Sequence, residues 1–81
     1  MPNVPHQMDR EKLRQYLNQT ENHIATTNQL VTEQRALIAR FEELGYDTAP
    51  SKTILAHLEQ LRELHIADRD RLSRMLSELG E

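Results

Sequence analysis

The chain has no cysteine among its 81 residues. That excludes a disulfide framework and any thiolate metal site. Only Tyr16, Phe41 and Tyr46 are aromatic, too few for a sheet core, which draws on aromatic and β-branched side chains. No apolar run approaches the length of about 20 residues that a membrane span requires. Residues 1–12 lack the apolar run and cleavage pattern of a signal peptide, so a cytoplasmic location is expected. Neither sign of charge dominates: 13 acidic residues face 10 basic ones, for a formal net charge of -3. Such a balance steers a protein toward neither nucleic acid nor an anionic membrane, and neither is expected as a partner. Glycine and proline are scarce, at 2 and 3. With apolar residues recurring at regular intervals, that scarcity speaks against disorder despite the polar composition.

The length allows one small domain. A chain of this size buries only about 60% of its unfolded surface, so its own core is marginal. Small chains without covalent or metal staples often associate instead.

What is present is helical periodicity. Ile54, Leu58, Leu61, His65, Asp68, Leu72, Met75 and Leu79 follow one another at spacings of four and three. That is an a/d seam, which lays one narrow helix face onto a partner helix. Upstream, from Asp9 to Leu44, there is neither glycine nor proline. There Leu17, Ile24, Val31 and Ile38 recur every seven residues, joined by Thr20, Thr27, Gln34 and Phe41. Beside them runs Tyr16, His23, Leu30, Leu37, Leu44. This stripe is wider than one partner helix can cover.

Gly45 suits a left-handed helix end, and Asp47, Thr48 and Ser51 are capable caps around Pro50. The expected organisation is a loose arm over 1–8, a helix over 9–44, a turn over 45–50 and a helix over 51–79. Asn3 with Pro5, or Asp9, fits the start of the first helix. A connection this short joins antiparallel neighbours. The fold class is therefore all-α, an antiparallel two-helix hairpin of coiled-coil type.

Setting Phe41 opposite Ile54 pairs Gln34 with Leu61, Val31 with His65, Thr27 with Asp68, and Leu17 with Leu79. The polar centres of the two helices then fall at one height, with His23 a turn away. Leu30, Leu37, Leu44, Leu55, Leu64 and Leu76 are left over. Each would forfeit about 1.5–3 kcal/mol if it stayed in water. Pairing two hairpins into a four-helix bundle shelters them, so a homodimer is expected with these six leucines at its interface. A tetramer or a hetero-bundle is the alternative assembly.

His65 and Asp68 at i and i+3 share a helix face. With Thr27 and His23 they compose a polar core layer. Its leading reading is a device that fixes register, at some cost in stability. A second reading is a partly wet seam. A metal or small-ligand site centred on His65, Asp68 and His23 comes third, because bundles hold metals through Glu-x-x-His pairs whereas the order here is His-x-x-Asp. His6, His23, His57 and His65 are too dispersed to form a ligand cluster, so no metal and no cofactor is expected. No nucleophile–base arrangement and no glycine-rich phosphate loop is present, so no catalytic residue is assigned. Arg62, Arg69, Arg71 and Arg74 read as a solvated face, interleaved with Asp68 and Asp70. Met8, Leu13, Tyr16 and Leu17 overhang the shorter helix, where they extend the dimer core or dock another protein.

Three fragments, His23-Ile24-Ala25, Gly45-Tyr46-Asp47-Thr48 and Leu64-His65-Ile66-Ala67-Asp68-Arg69-Asp70-Arg71-Leu72, resemble those of a group of small uncharacterised bacterial helical-hairpin proteins. The resemblance covers about residues 9–79. It implies a helical hairpin and supplies no activity, cofactor or partner. Tyr46 stands where that group more often has histidine, which weakens any idea of a metal near the turn. The reading of the whole is a non-catalytic, homo-oligomeric interaction module.

Overall fold

A computed structural model describes residues 6–80, with side chains described from Asp9 onward. Two helices account for nearly all of it, α1 over His6–Glu43 and α2 over Ala49–Glu78. They pack against each other as an antiparallel hairpin. At 38 and 30 residues, they run for about 57 Å and 45 Å at a rise of ~1.5 Å per residue. α1 starts three residues before the expected Asp9, so His6, Gln7 and Met8 belong to it rather than to an arm. The Asn3 and Pro5 start signals lie outside the described residues. Among the described residues, no helix is long and apolar enough to cross a membrane.

The turn is built as its residues dictate. Gly45 takes φ +75°, the left-handed region in which a Cβ is strained. Its N–H donates to Glu42 O at 3.2 Å, and the Tyr46 N–H reaches back to Phe41 O at 2.9 Å. This is a Schellman ending, which satisfies carbonyls that the helix leaves without partners. Tyr46 and Phe41 complete it with ring centroids 5.7 Å apart. At the start of α2, Thr48 holds the N-cap position without a side-chain bond. Asp47 does the capping instead, its Oδ1 accepting from the Ala49 N–H at 3.0 Å. Gly45→Ala tests the turn. A Cβ at Gly45 meets nothing within 4 Å, so the loss comes from φ alone and amounts to about 1 kcal/mol. Thermal melting at fixed concentration should fall by roughly 4–8 °C, and an unchanged midpoint would contradict this account of the turn.

α1 presents the expected face. Val31, Ile38, Thr20 and Thr27 are buried, with Leu13, Leu17, Ile24, Gln34 and Phe41 half-buried between them. α2 does not, and this corrects the expected seam. Its covered face is Ser51, Leu55, Leu58, Arg62, His65, Arg69, Leu72, Leu76 and Leu79, with Glu59, Ile66 and Asp68 half-buried at its edges. Ile54, Leu61 and Met75 are exposed. The helix is turned about its axis, so that Leu58, His65, Leu72 and Leu79 are kept while the other rung moves by one residue.

The register changes with it. Gln34 Nε2 donates to Ser51 O at 3.1 Å, far from Leu61. At the open end Arg10 Nη2 donates to Leu79 O at 2.8 Å. Leu79 thus reaches Arg10 rather than stopping at Leu17, and the expected overhang from Leu13 to Leu17 does not exist. The Met8 side chain lies outside the described ones.

Candidate functional site

The two sides of the hairpin differ in chemistry. Antiparallel helices bring like flanks together, so each side of the seam is built from matching heptad positions of α1 and α2. On one side stand charges. Arg35 Nη2 meets Glu59 Oε2 at 2.7 Å, and Lys52 Nζ meets Glu42 Oε2 at 3.3 Å. Both pairs are well exposed and each contributes at most about 1 kcal/mol. Their value here is positional, because they mark a flank that is at ease in water.

The other side carries the i−1 neighbours of the seam. On α1 these are Tyr16, His23, Leu30, Leu37 and Leu44. On α2 they are Ile54, Leu61, Asp68 and Met75, with Leu64 one step further out. Two surface recesses tie the halves together. A groove of about 400 Å³ at the open end is lined by Leu13 and Tyr16 from α1 and by Met75 and Leu79 from α2. A recess of about 270 Å³ next to it gathers Tyr16 and His23 with His65, Asp68 and Arg71. Towards the turn the flank becomes apolar again. Leu37 is 40% exposed there, Leu61 41% and Leu64 63%.

The six leucines expected at an interface therefore divide. Leu30, Leu37, Leu44 and Leu64 lie open. Leu76 is buried and Leu55 half-buried, so these two serve the hairpin's own seam. Ile54, Leu61 and Met75 take their places on the flank. Sequence reasoning missed that exchange. Its available signal was a second ladder, Leu55, Leu58, Arg62, His65, Arg69, Leu72, Leu76 and Leu79, at the same spacings.

The polar layer also changes character. His23, expected a turn away, stands directly against His65 with ring centroids 5.2 Å apart. Asp68 lines the same recess, but its Oδ1 accepts from Arg71 Nη2. Thr27 is buried, yet its Oγ1 donates to the carbonyl of His23 within α1, at 2.7 Å. Thr20 does the same to Tyr16 O at 2.8 Å. Both threonines are thus satisfied locally, an arrangement open to hydroxyls inside helices. The expected buried network of His65, Asp68, Thr27 and His23 reduces to a histidine pair and an acid–arginine pair at the mouth of a recess. In the hairpin His23 is exposed, while His65 and Asp68 are half-buried.

Among the described residues, no group of three or more His, Cys, Asp or Glu side chains is placed to hold a metal ion within one chain. Arg62 and Arg69, expected on a solvated face, are half-buried on the seam. Such side chains lay their methylenes along apolar surface and send the guanidinium to water.

Because the partner of Asp68 among the described residues is the exposed Arg71, Asp68→Leu should cost no more than about 1 kcal/mol. A thermal midpoint lowered by more than roughly 8 °C would show a dedicated buried partner instead.

Comparison of the chain with family models, with curated proteins and with solved structures finds no match.

Proposed function

We propose that this protein is a non-catalytic interaction module that works as a homodimer, two hairpins joined through the apolar flank into a four-helix bundle. The observation that carries this reading is the imbalance between what one hairpin covers and what it leaves open. Val31, Ile38, Leu72 and Leu76 are the apolar side chains buried among the described residues, whereas Tyr16, Leu30, Leu37, Leu44, Ile54, Leu61, Leu64 and Met75 are exposed. At ~200 Å² per side chain, their exposed fractions sum to roughly 800 Å², about what each partner contributes to a standard interface.

A second copy suits this surface better than an unrelated partner. A two-fold pair sets the same patch against itself, so leucines meet leucines. The opposite flank keeps its ion pairs in water. Helices from two hairpins also complete the geometry in which a wide stripe on α1 has two neighbours to cover it.

Sedimentation equilibrium tests the reading. The expected mass is twice that of the 9.5 kDa chain, with a melting temperature that rises with concentration, as mass action requires. A single-chain mass across micromolar concentrations, with the helices intact, would refute it.

A further inference from the structure

We propose that in the paired protein His23 and His65 of each chain together form a four-imidazole site for Zn2+ or a divalent cation of similar softness. The inference rests on the pairing proposed above and goes beyond it.

The first support is the geometry of the pair itself. A zinc–imidazole bond of about 2.0–2.1 Å places each ring centroid about 3 Å from the metal, and a tetrahedral angle then sets two centroids about 5 Å apart. The His23 and His65 rings stand 5.2 Å apart, tilted by 45°. They come from different helices, so the hairpin itself holds the spacing.

The second support is the position of the pair. It lies on the apolar flank, and His23 is the 18th of the 38 residues of α1. A two-fold pair can be built with the hairpins side by side in the same direction, or with one reversed. With the hairpins side by side in the same direction the two-fold axis runs along the bundle and every layer meets its own copy at one height, so the site belongs to that construction. His23 and His65 then face the partner's His23 and the partner's His65.

The third support is the recess of about 270 Å³ into which these rings open. Two such recesses closing on each other leave a polar void inside an apolar interface. Voids of that kind hold water or an ion. Imidazole nitrogens select a borderline-soft cation over calcium or magnesium. Asp68 is assigned no ligand role, because its carboxylate is engaged by Arg71 and the two charges largely cancel. His23 and His65 of one chain offer half of a tetrahedral set, and among the described residues no group of three within a single chain completes it.

The experiment is a Co2+ titration of untagged protein stripped with chelator, read by visible absorption, with sedimentation run on the same samples. The expected result is a tetrahedral cobalt spectrum that saturates at one ion per two chains and is displaced by Zn2+. His23→Gln and His65→Gln should each weaken binding at least 100-fold, or about 2.7 kcal/mol, while the proteins stay paired. His57→Gln should leave the titration unchanged. Absence of binding by protein that sediments as a pair would overturn the site and leave the pairing standing. So would saturation at one ion per chain, or binding that survives His23→Gln. A protein that sediments as a single chain would overturn the pairing and the site together.

Discussion

Replacing Leu30 and Leu37 together by glutamate is expected to yield a single-chain mass and to remove most of the helical signal at 25 °C. Both side chains lie open in the hairpin, and a glutamate at either position reaches water without displacing anything. If the hairpin were self-sufficient, the double variant would lose little. If the flank is covered by a second copy, each site, open to about two-fifths in the hairpin, loses about 0.6–1.2 kcal/mol of burial on each chain and places a carboxylate against apolar surface, which costs several kcal/mol more. The sum exceeds the stability of a small domain, which seldom passes about 5 kcal/mol at this length. Sedimentation and far-UV circular dichroism at several concentrations check the expectation. Retention of a folded pair, or a folded single chain with an unchanged melting midpoint, would contradict it. Asn28→Glu, an exposed change away from this flank, is the control and should alter neither mass nor midpoint.

The second large effect belongs to the hairpin's own core. Val31 is fully buried, at 0% exposure. Val31→Asp sets a carboxylate where the seam offers no water, and a buried polar group without a partner is among the few causes of losses above about 4 kcal/mol. The variant should show no cooperative melt at pH 7. Val31→Ala, which removes two methyl groups and leaves a small cavity, should melt cooperatively at a lower temperature, with a loss of about 1–3 kcal/mol. A cooperative melt of Val31→Asp within a few degrees of the parent would mean that the seam is not closed at this layer.

These two expectations separate two surfaces that the sequence writes in the same script. On α1 the separation was legible. Leu17, Ile24, Val31 and Ile38 face α2, while Leu30, Leu37 and Leu44 lie beside them and open outward. On α2 it was not. Two ladders share Leu58, His65, Leu72 and Leu79. One adds Ile54, Leu61, Asp68 and Met75, the other Leu55, Arg62, Arg69 and Leu76. Hydropathy favours the first ladder, but the hairpin uses the second. The reason is that an apolar spacing reports that a face is buried and is silent on whether the cover is the chain's own helix or another copy. Two arginines on the inner seam look wrong to a hydropathy pattern. They are tolerated because a long stem can lie along apolar neighbours while its head reaches the edge of a two-helix interface.

The turn was legible for the opposite reason. Gly45, Asp47 and Pro50 act within a few residues of themselves, and their chemistry requires no knowledge of the partner helix. The histidine layer falls between these cases. His65 was marked by interrupting an apolar seam. The meeting of His23 with His65 depended on how far α2 slides along α1, which no local rule sets. Thr27, expected in the layer, turned inward to its own helix, since a hydroxyl four residues from a free lone pair on a carbonyl needs no other partner.

The central claim is that the flank carrying Leu30, Leu37, Leu61 and Leu64 is covered by a second copy. Isotope-filtered NOE spectroscopy on a mixture of labelled and unlabelled chains measures that most directly. Intermolecular contacts are expected at the methyl groups of Leu37, Leu61 and Leu64, and none along the Glu42–Lys52 and Arg35–Glu59 edge. A spectrum with no intermolecular contacts at those methyls, or with contacts confined to the charged edge, would contradict the account.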